Sequence, residues 1–142
     1  MPAIYSHPHV VGQDEIDDLG HVNNLHYLKW MQTAAVAHST AQGWPPERYR
    51  AIAAGWVVRT HRIEYRRPAF AGEEIVIRTW VSDFNKVTSL RKYQVFRPQD
   101  GAVLAVAETD WAFLGLKPYV PRRIPPDLAE AFQIVPPEEE PQ

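Results

Sequence analysis

The sequence predicts an α+β domain in which a curved antiparallel sheet wraps around one long helix. Residues 25–41 contain neither proline nor glycine. Leu28, Met31, Ala35, His38 and Gln42 fall at spacings of three and four, which is typical of a helix with one buried face. Later stretches alternate apolar and polar residues as strands do, and they are residues 57–65, 75–81, 87–97 and 103–114. Short turn-forming segments join these strands, which favours an antiparallel meander, and Pro8 places a short first strand at a sheet edge.

The segment before the helix is rich in residues that form turns and caps, namely Asp17, Asp18, Gly20, Asn23 and Asn24. Either asparagine is expected to cap the helix. The first turn of a helix has unpaired backbone N–H groups and a positive dipole end, so an anion or a carbonyl oxygen can bind there. Asp17 and the donors near Asn24 are therefore expected to face the same small volume, although capping alone explains the asparagines equally well.

The rest of the chain is expected to complete a single domain of residues 1–135. Gly43 supplies a stop for the long helix, and residues 45–49 are placed to begin a short second helix. An extended segment then leads to a short helical stretch at residues 127–132. Residues 136–142 consist of proline, glutamate and glutamine without apolar content, which predicts a disordered tail.

Composition excludes several classes of function. The chain has 142 residues, a net charge of −2 and 45% hydrophobic residues, so it is expected to form one globular domain with no general affinity for nucleic acid. The absence of cysteine excludes disulfides, zinc-thiolate sites and thiol catalysis. No apolar run approaches the ~18 residues of a membrane span, and the first residues do not resemble a signal peptide, so we expect a cytoplasmic protein with no membrane association.

A metal site is a weaker interpretation of the same segment. Asp17, His21 and His26 offer oxygen and nitrogen ligands of the kind that zinc takes. Their spacings of four and five across a turn match no standard ligand pattern, so no metal is predicted. A glycine-rich phosphate loop is also absent from the sequence, which excludes a P-loop nucleotide site.

One motif carries a family resemblance. It consists of Asp17, Gly20, His21, Val22, Asn23, Asn24 and Tyr27 at fixed spacing. The motif resembles the active-site segment of hotdog-fold thioesterases, of the 4-hydroxybenzoyl-CoA thioesterase type and the acyl-ACP thioesterase type. Residues 63–81 and 111–125 resemble the later strands and the exit segment of the same family. The resemblance implies the hotdog fold, an acyl-CoA substrate, no metal or redox cofactor, and a homodimer or homotetramer with shared active sites.

The resemblance also implies roles for single residues. Asp17 corresponds to the catalytic carboxylate, acting as nucleophile or general base, and the backbone N–H near Asn24 would polarise the thioester carbonyl. His21 or Asn24 is expected to orient the acid or a water molecule. The other motif residues are expected to bind substrate, and they are Gly20, Val22, Asn23 and Tyr27. Leu19 stands where the acyl-ACP branch has an asparagine, which favours CoA over acyl carrier protein as the thiol carrier.

Basic residues are concentrated in the predicted strands. They are Arg59, Arg62, Arg66, Arg67, Arg78, Arg91, Lys92 and Arg97. Arginine forks suit phosphates such as the three of CoA, and we expect Arg91 to bind substrate. An acidic acyl carrier protein would also be attracted to such a group. The alternative is a solvated outer face of the sheet, where long side chains cover apolar surface.

The predicted function is hydrolysis of an acyl-CoA thioester to free acid and CoA. A non-catalytic acyl-thioester-binding protein is the main alternative, but such a protein has no obvious use for a carboxylate at Asp17 beside the thioester. A hydratase of the same fold would use an aspartate and histidine pair on a different motif. The acyl chain length is left open, because it depends on pocket depth, which Ala34, Ala35, Trp56 and Trp111 are expected to shape.

Overall fold

The computed structural model describes residues 3–142, so the first two residues of the predicted domain lie outside the described part. Its elements in chain order are β1 (Tyr5–Val10), α1 (Asn24–Ala41), α2 (Pro46–Ala51), β2 (Ala54–Tyr65), β3 (Glu74–Phe84), β4 (Thr88–Arg97), β5 (Ala102–Leu116), β6 (Tyr119–Pro121) and α3 (Pro126–Glu130). Two 3-10 turns, Gln13–Glu15 and Pro137–Glu139, complete the list. The predicted α+β class is confirmed, with one long helix packed on a six-stranded antiparallel sheet.

The order of strands differs from the predicted meander at one point. The order is β1-β3-β4-β5-β2, so β2 pairs with β5 and not with β3, and β6 pairs with the end of β5. The connection 66–73 causes this, because its Arg66 N–H donates to Leu104 O on β5 and its Gly72 N–H donates to Val11 O beside β1. Its eight residues can span up to ~26 Å, more than the ~14 Å between strands three positions apart.

Helix α1 begins and ends where the sequence predicts. Asn23 is the N-cap, and its Oδ1 accepts a hydrogen bond from Leu25 N–H at 2.9 Å. At the other end Gly43 has φ +91°, a conformation that favours glycine. The buried face of α1 packs against the sheet and consists of Tyr27, Trp30, Met31, Ala34, Ala35 and His38. Helix α2 begins at Pro46, within the predicted segment 45–49.

The C-terminal segment returns to the body of the domain. Leu128 of α3 is fully buried, and Val135 N–H donates to the carbonyl of Val81 at 3.0 Å. Farther on, the Glu140 carboxylate lies 2.9 Å from Lys92 Nζ on the outer face of the sheet. The disorder of residues 136–142 stays a prediction, and the Glu140 contact gives it a defined test. No helix within residues 3–142 is long and apolar enough to cross a membrane.

Candidate active site

A small hairpin before α1 holds Asp17. Ile16 and Val22 form an isolated antiparallel bridge at its base. Asp17 N–H donates to His21 O at 2.9 Å, and Gly20 N–H donates to Asp17 O at 3.0 Å. Gly20 has φ +87°, which residues with a side chain rarely adopt. Local hydrogen bonds thus fix the backbone of Asp17, as the turn-forming residues predict.

The Asp17 carboxylate is partly exposed, and its two oxygens differ. Oδ1 accepts a hydrogen bond from Leu19 N–H at 2.8 Å. Oδ2 lies 4.0 Å from His21 Nδ1, which is too long for a hydrogen bond. The Asp17 side chain is 26% exposed, so Oδ2 is open to a substrate or a water molecule from solvent. His21 therefore lies beside the carboxylate without a hydrogen bond to it.

The start of α1 presents a backbone donor next to this hairpin. Asn23 Oδ1 and Asn23 O accept from the N–H groups of Leu25 and His26. The Asn24 N–H, by contrast, donates to no acceptor within residues 3–142. Tyr65 OH donates to Asn24 O at 3.2 Å and packs the end of β2 against the helix start. A carbonyl oxygen placed at this end would meet the Asn24 N–H and the positive end of the helix.

A second carboxylate, Glu15, lies beneath the hairpin and was missed by the sequence analysis. It is 8% exposed and accepts hydrogen bonds from Gly12 N–H at 2.8 Å, His9 Nε2 at 2.8 Å and Trp30 Nε1 at 2.6 Å. Burial acts to raise the pKa of Glu15, but these hydrogen bonds outweigh it and hold the pKa below the ordinary value of 4.5. His26 Nδ1 lies 3.8 Å from the same carboxylate.

Glu15 joins three elements that meet at the hairpin. Its side chain binds His9 on β1 and Trp30 on α1, and its backbone oxygen accepts from Asn23 N–H at 3.0 Å. His9 thus has a partner that its position in the sequence does not reveal. No spacing in the sequence pairs Glu15 with Trp30, since only the packing of α1 beside β1 brings them together.

The remaining motif residues divide between surface and core. Gly20 is exposed and Asn23 is partly exposed, so both can contact a ligand directly. Val22 and Tyr27 are each only 2% exposed, and the Tyr27 ring packs between Trp30 and Tyr65. Burial raises the pKa of Tyr27. We therefore expect Val22 and Tyr27 to support the site by packing, and their roles in binding substrate stay predictions.

A cavity of about 460 Å³ lies at the other end of α1. It is enclosed by the C-terminal half of α1, by α2 and by the inner face of the sheet. Aromatic rings form much of its wall, namely those of Trp44, Tyr49, Trp56, Phe84, Trp111 and Phe132. Ala35, Trp56 and Trp111, which were expected to shape a pocket, line this cavity, whereas Ala34 packs in the core.

Arg91 lies in the wall of this cavity and not beside Asp17. Its Nη1 donates to His38 Nδ1 at 2.9 Å and to Thr79 Oγ1 at 3.0 Å. His38 comes fourteen residues after Asn24, a rise of about 21 Å along the helix. Arg91 is 7% exposed, which excludes the solvated outer face for this arginine. Burial lowers the pKa of Arg91, but a guanidinium stays protonated at neutral pH.

No group of three or more histidine, aspartate or glutamate side chains within residues 3–142 is arranged to hold a metal ion. The groups present at the start of α1 are a carboxylate, an imidazole and a backbone donor, a combination that suits attack on a carbonyl group.

Comparisons with known proteins identify the family to which the chain belongs. The profile of the Thioesterase-like superfamily matches residues 11–132, which is most of the chain. A protein of Bacillus subtilis strain 168 named "Putative acyl-CoA thioesterase YneP" is 27% identical over 84 residues, which are 59% of this chain and 61% of that protein.

Two solved structures are similar over most of the chain. Slr0204 of Synechocystis, a 1,4-dihydroxy-2-naphthoyl-CoA thioesterase, has a TM-score of 0.84 at 14% identity, with 90% of this chain and 94% of that chain covered. SAV2348 of Staphylococcus aureus, solved in complex with CoA, has a TM-score of 0.85 at 12% identity, with 90% and 80% covered. These likenesses confirm the predicted hotdog fold, and the match to the family profile shows that the chain belongs to the Thioesterase-like superfamily.

Proposed function

We propose that this protein hydrolyses an acyl-CoA thioester to the free acid and CoA. The observation that carries the proposal is the Asp17 carboxylate, held by a hairpin beside the unpaired Asn24 N–H at the start of α1. Membership of the Thioesterase-like superfamily supports the reaction class. The name of the Bacillus subtilis relative and the CoA in the Staphylococcus aureus complex support CoA as the thiol carrier.

In the proposed mechanism, the Asp17 carboxylate and the Asn24 N–H act on the same thioester carbonyl. The thioester oxygen accepts a hydrogen bond from Asn24 N–H, and the helix dipole stabilises the oxyanion as it forms; a donor of this kind commonly contributes ~3 kcal/mol. Asp17 Oδ2 either attacks the carbonyl carbon, which releases the CoA thiolate and leaves an anhydride for water to hydrolyse, or removes a proton from an attacking water molecule. His21, 4.0 Å from Oδ2, orients that water.

We further propose that the complete site contains two copies of the chain. Strand β2 has twelve residues without proline, and within residues 3–142 it pairs on one side only. The opposite edge, β1, has six residues and contains Pro8, which discourages pairing. A free, long edge strand is a template for pairing with a second copy.

Pairing between two β2 strands would join the helix start of one chain to the cavity of the other. In a full-length antiparallel pair, Ala54 lies opposite the partner's Tyr65. Ala54, Gly55 and Trp56 line the cavity, whereas Tyr65 contacts the start of α1. An acyl group could then enter the cavity of one chain while its thioester lies beside Asp17 of the other. A dimer is the smallest assembly that satisfies this arrangement, and a tetramer of two such dimers satisfies it equally.

The test is thiol release from a panel of short, medium, long and aromatic acyl-CoAs. Because the chain has no cysteine, every thiol detected comes from the substrate. Asp17→Asn should lower kcat by about 100-fold or more, as loss of an acid, base or nucleophile does. The matched control is Asp18→Asn, which changes the exposed neighbour and should alter kcat by less than about 3-fold.

Other outcomes would overturn the proposal. Equal turnover by the wild type and Asp17→Asn would place the chemistry on another residue. Binding of acyl-CoA without any thiol release would indicate a non-catalytic binding protein. Sedimentation of the wild type as a monomer at the assay concentration, with full activity, would exclude the shared site.

A further inference from the structure

Arg91 is a buried cation without a counter-charge. Only 7% of the residue is exposed, and within residues 3–142 no carboxylate lies within 4.0 Å of its guanidinium. Its two hydrogen bonds, to the His38 ring and the Thr79 hydroxyl, both use Nη1. Nε and Nη2 donate to no side chain in the described part of the chain, and the residue lines the cavity. The donors that remain can therefore serve a molecule inside the cavity.

Arg97 is a partly buried arginine of the same sheet that does have carboxylate partners. Its guanidinium lies 2.9 Å from Glu73 Oε2 and 2.8 Å from Asp100 Oδ2, and its side chain is 14% exposed. Arg91 is more deeply buried and has no such carboxylate. Burying an unpaired charge is costly, and two neutral acceptors compensate it only in part. The missing counter-ion is therefore expected to come from a ligand.

The rest of the cavity restricts what that ligand can be. The rings of Trp56, Phe84 and Trp111 offer an apolar wall of considerable area, and the Phe132 ring lies 5.7 Å from the Arg91 guanidinium. Such a cavity suits an apolar body with one anionic end. A single buried guanidinium matches one carboxylate in a bidentate pair, whereas the phosphates of a nucleotide carry several charges that this apolar wall cannot compensate.

We propose that the acyl group hydrolysed by this protein carries a carboxylate at the end remote from the thioester, and that Arg91 binds this carboxylate. The reaction itself rests on the proposed function, but the choice of acyl group rests on Arg91. Dicarboxylic acyl thioesters of medium length are thus the substrate class, because their methylene chain fits the aromatic part of the cavity.

The experiment compares substrates that differ only at the remote end. Hexanoyl-CoA is paired with adipoyl-CoA, and octanoyl-CoA with suberoyl-CoA. For the wild type we expect kcat/KM to be at least about 10-fold higher for the ω-carboxy member, because one well-placed charged contact contributes at least ~1.4 kcal/mol. Arg91→Met should lower kcat/KM for the ω-carboxy member of each pair by about 10-fold or more relative to its unsubstituted partner, which removes the preference. Arg78→Met is the matched control, since Arg78 is a sheet arginine that contacts Gln94 and the Phe96 ring, and it should keep the preference.

A binding measurement separates this inference from the proposed function. Octanoate and octan-1-ol share a chain, and either can be titrated against the tryptophan fluorescence of the cavity. If octanoate binds at least about 10-fold tighter than octanol to the wild type but not to Arg91→Met, the carboxylate site is supported even when no thioester is hydrolysed. If the wild type hydrolyses octanoyl-CoA and suberoyl-CoA with equal kcat/KM, the inference is overturned and the hydrolase proposal stands. Should Arg91→Met fail to fold, the wild-type substrate pairs decide the question alone.

Discussion

The two ends of helix α1 have opposite character. At the N-terminal end a polar, partly exposed hairpin presents the Asp17 carboxylate, and Glu15 beneath it is held by three hydrogen bonds. At the other end a cavity with aromatic walls encloses a cation, Arg91, that no carboxylate neutralises within residues 3–142. The rise of about 21 Å between Asn24 and His38 separates them. We thus propose that bond cleavage and choice of substrate are carried by separate regions, and that a second copy of the chain brings these regions together.

The largest effect is expected from removing one backbone donor at the N-terminal end. Asn24→Pro deletes the Asn24 N–H, and proline is favourable at the first position of a helix. The preceding Asn23 has φ −65° and ψ 137°, the extended conformation that a residue before proline requires. We expect kcat to fall by about 100-fold to 1,000-fold, with the helix intact by circular dichroism.

The control for that variant is Asn24→Ala, which removes the side chain but keeps the N–H. It should retain kcat within about 3-fold, because the side chain at this position is exposed. Equal losses in both variants would assign the effect to the Asn24 side chain. Full activity of Asn24→Pro would show that another group polarises the carbonyl. The N-terminal end of α1 would then have no role in stabilising the oxyanion.

Glu15→Gln is expected to have the next largest effect. Glutamine places an NH₂ group where the carboxylate accepts from Gly12 N–H, His9 or Trp30, so at least one buried hydrogen bond is lost. The free energy of unfolding should fall by about 1 to 3 kcal/mol. Because Glu15 anchors the hairpin, kcat should also fall by about 10-fold, from misplacement of Asp17. An unchanged kcat in a destabilised variant would show that Glu15 only stabilises the fold.

The stabilities of the wild type and Glu15→Gln are expected to depend differently on pH. Hydrogen bonds hold the pKa of Glu15 below the value of 4.5 expected in the unfolded chain. The stability that the ionised carboxylate contributes is therefore fully present above about pH 4.5 and is lost as the pH falls through the lower, folded pKa. Denaturation curves should show a constant difference between wild type and Glu15→Gln above pH 4.5 and a shrinking one below it. A difference independent of pH would mean that the charge of Glu15 contributes nothing.

The N-terminal end was predictable because its parts are neighbours in the chain. Asp17, Gly20 and Asn23 form their turn and cap through hydrogen bonds within six residues, so spacing alone reveals them. Glu15 was missed because its partners His9 and Trp30 come from different elements. Arg91 was expected to bind a ligand, but its burial depends on α1 packing over β4, which no local pattern encodes.

The strand order was missed for a related reason. Short segments between predicted strands favour hairpins, but the connection 66–73 has its own apolar anchor, the fully buried Ala69, whose carbonyl accepts from Val22 N–H. Because this connection is held beneath the hairpin, β3 does not fold back to pair with β2. The crossing leaves β2 at an edge beside the cavity, which is the feature on which the proposed pairing of two chains depends.

A smaller effect is expected from narrowing the cavity. Ala35 lines the cavity, so Ala35→Leu should occupy part of it. The kcat/KM for octanoyl-CoA should fall about 10-fold relative to butyryl-CoA, since each methylene in an apolar pocket contributes ~1 kcal/mol or more. Ala37→Leu is the control, because Ala37 lies on α1 outside the cavity wall. If both variants keep the wild-type ratio of kcat/KM for octanoyl-CoA to that for butyryl-CoA, long acyl chains bind outside this cavity. The C-terminal end of α1 would then not select the substrate.

The smallest effect is expected on the outer face of the sheet, remote from both ends of α1. Glu140 Oε2 lies 2.9 Å from Lys92 Nζ and accepts from Trp80 Nε1 at 3.3 Å. If residues 136–142 are disordered in solution, as their composition predicts, Glu140→Gln leaves the free energy of unfolding unchanged. A persistent ion pair at this site would instead contribute up to about 1 kcal/mol, and added salt would weaken it. Urea denaturation at low and high salt, with Glu138→Gln as the control, decides between the two. In either case kcat and the preference for acyl groups should stay at wild-type values, because the proposed catalytic groups lie at the start of α1 and the proposed carboxylate site lies on the opposite face of the sheet.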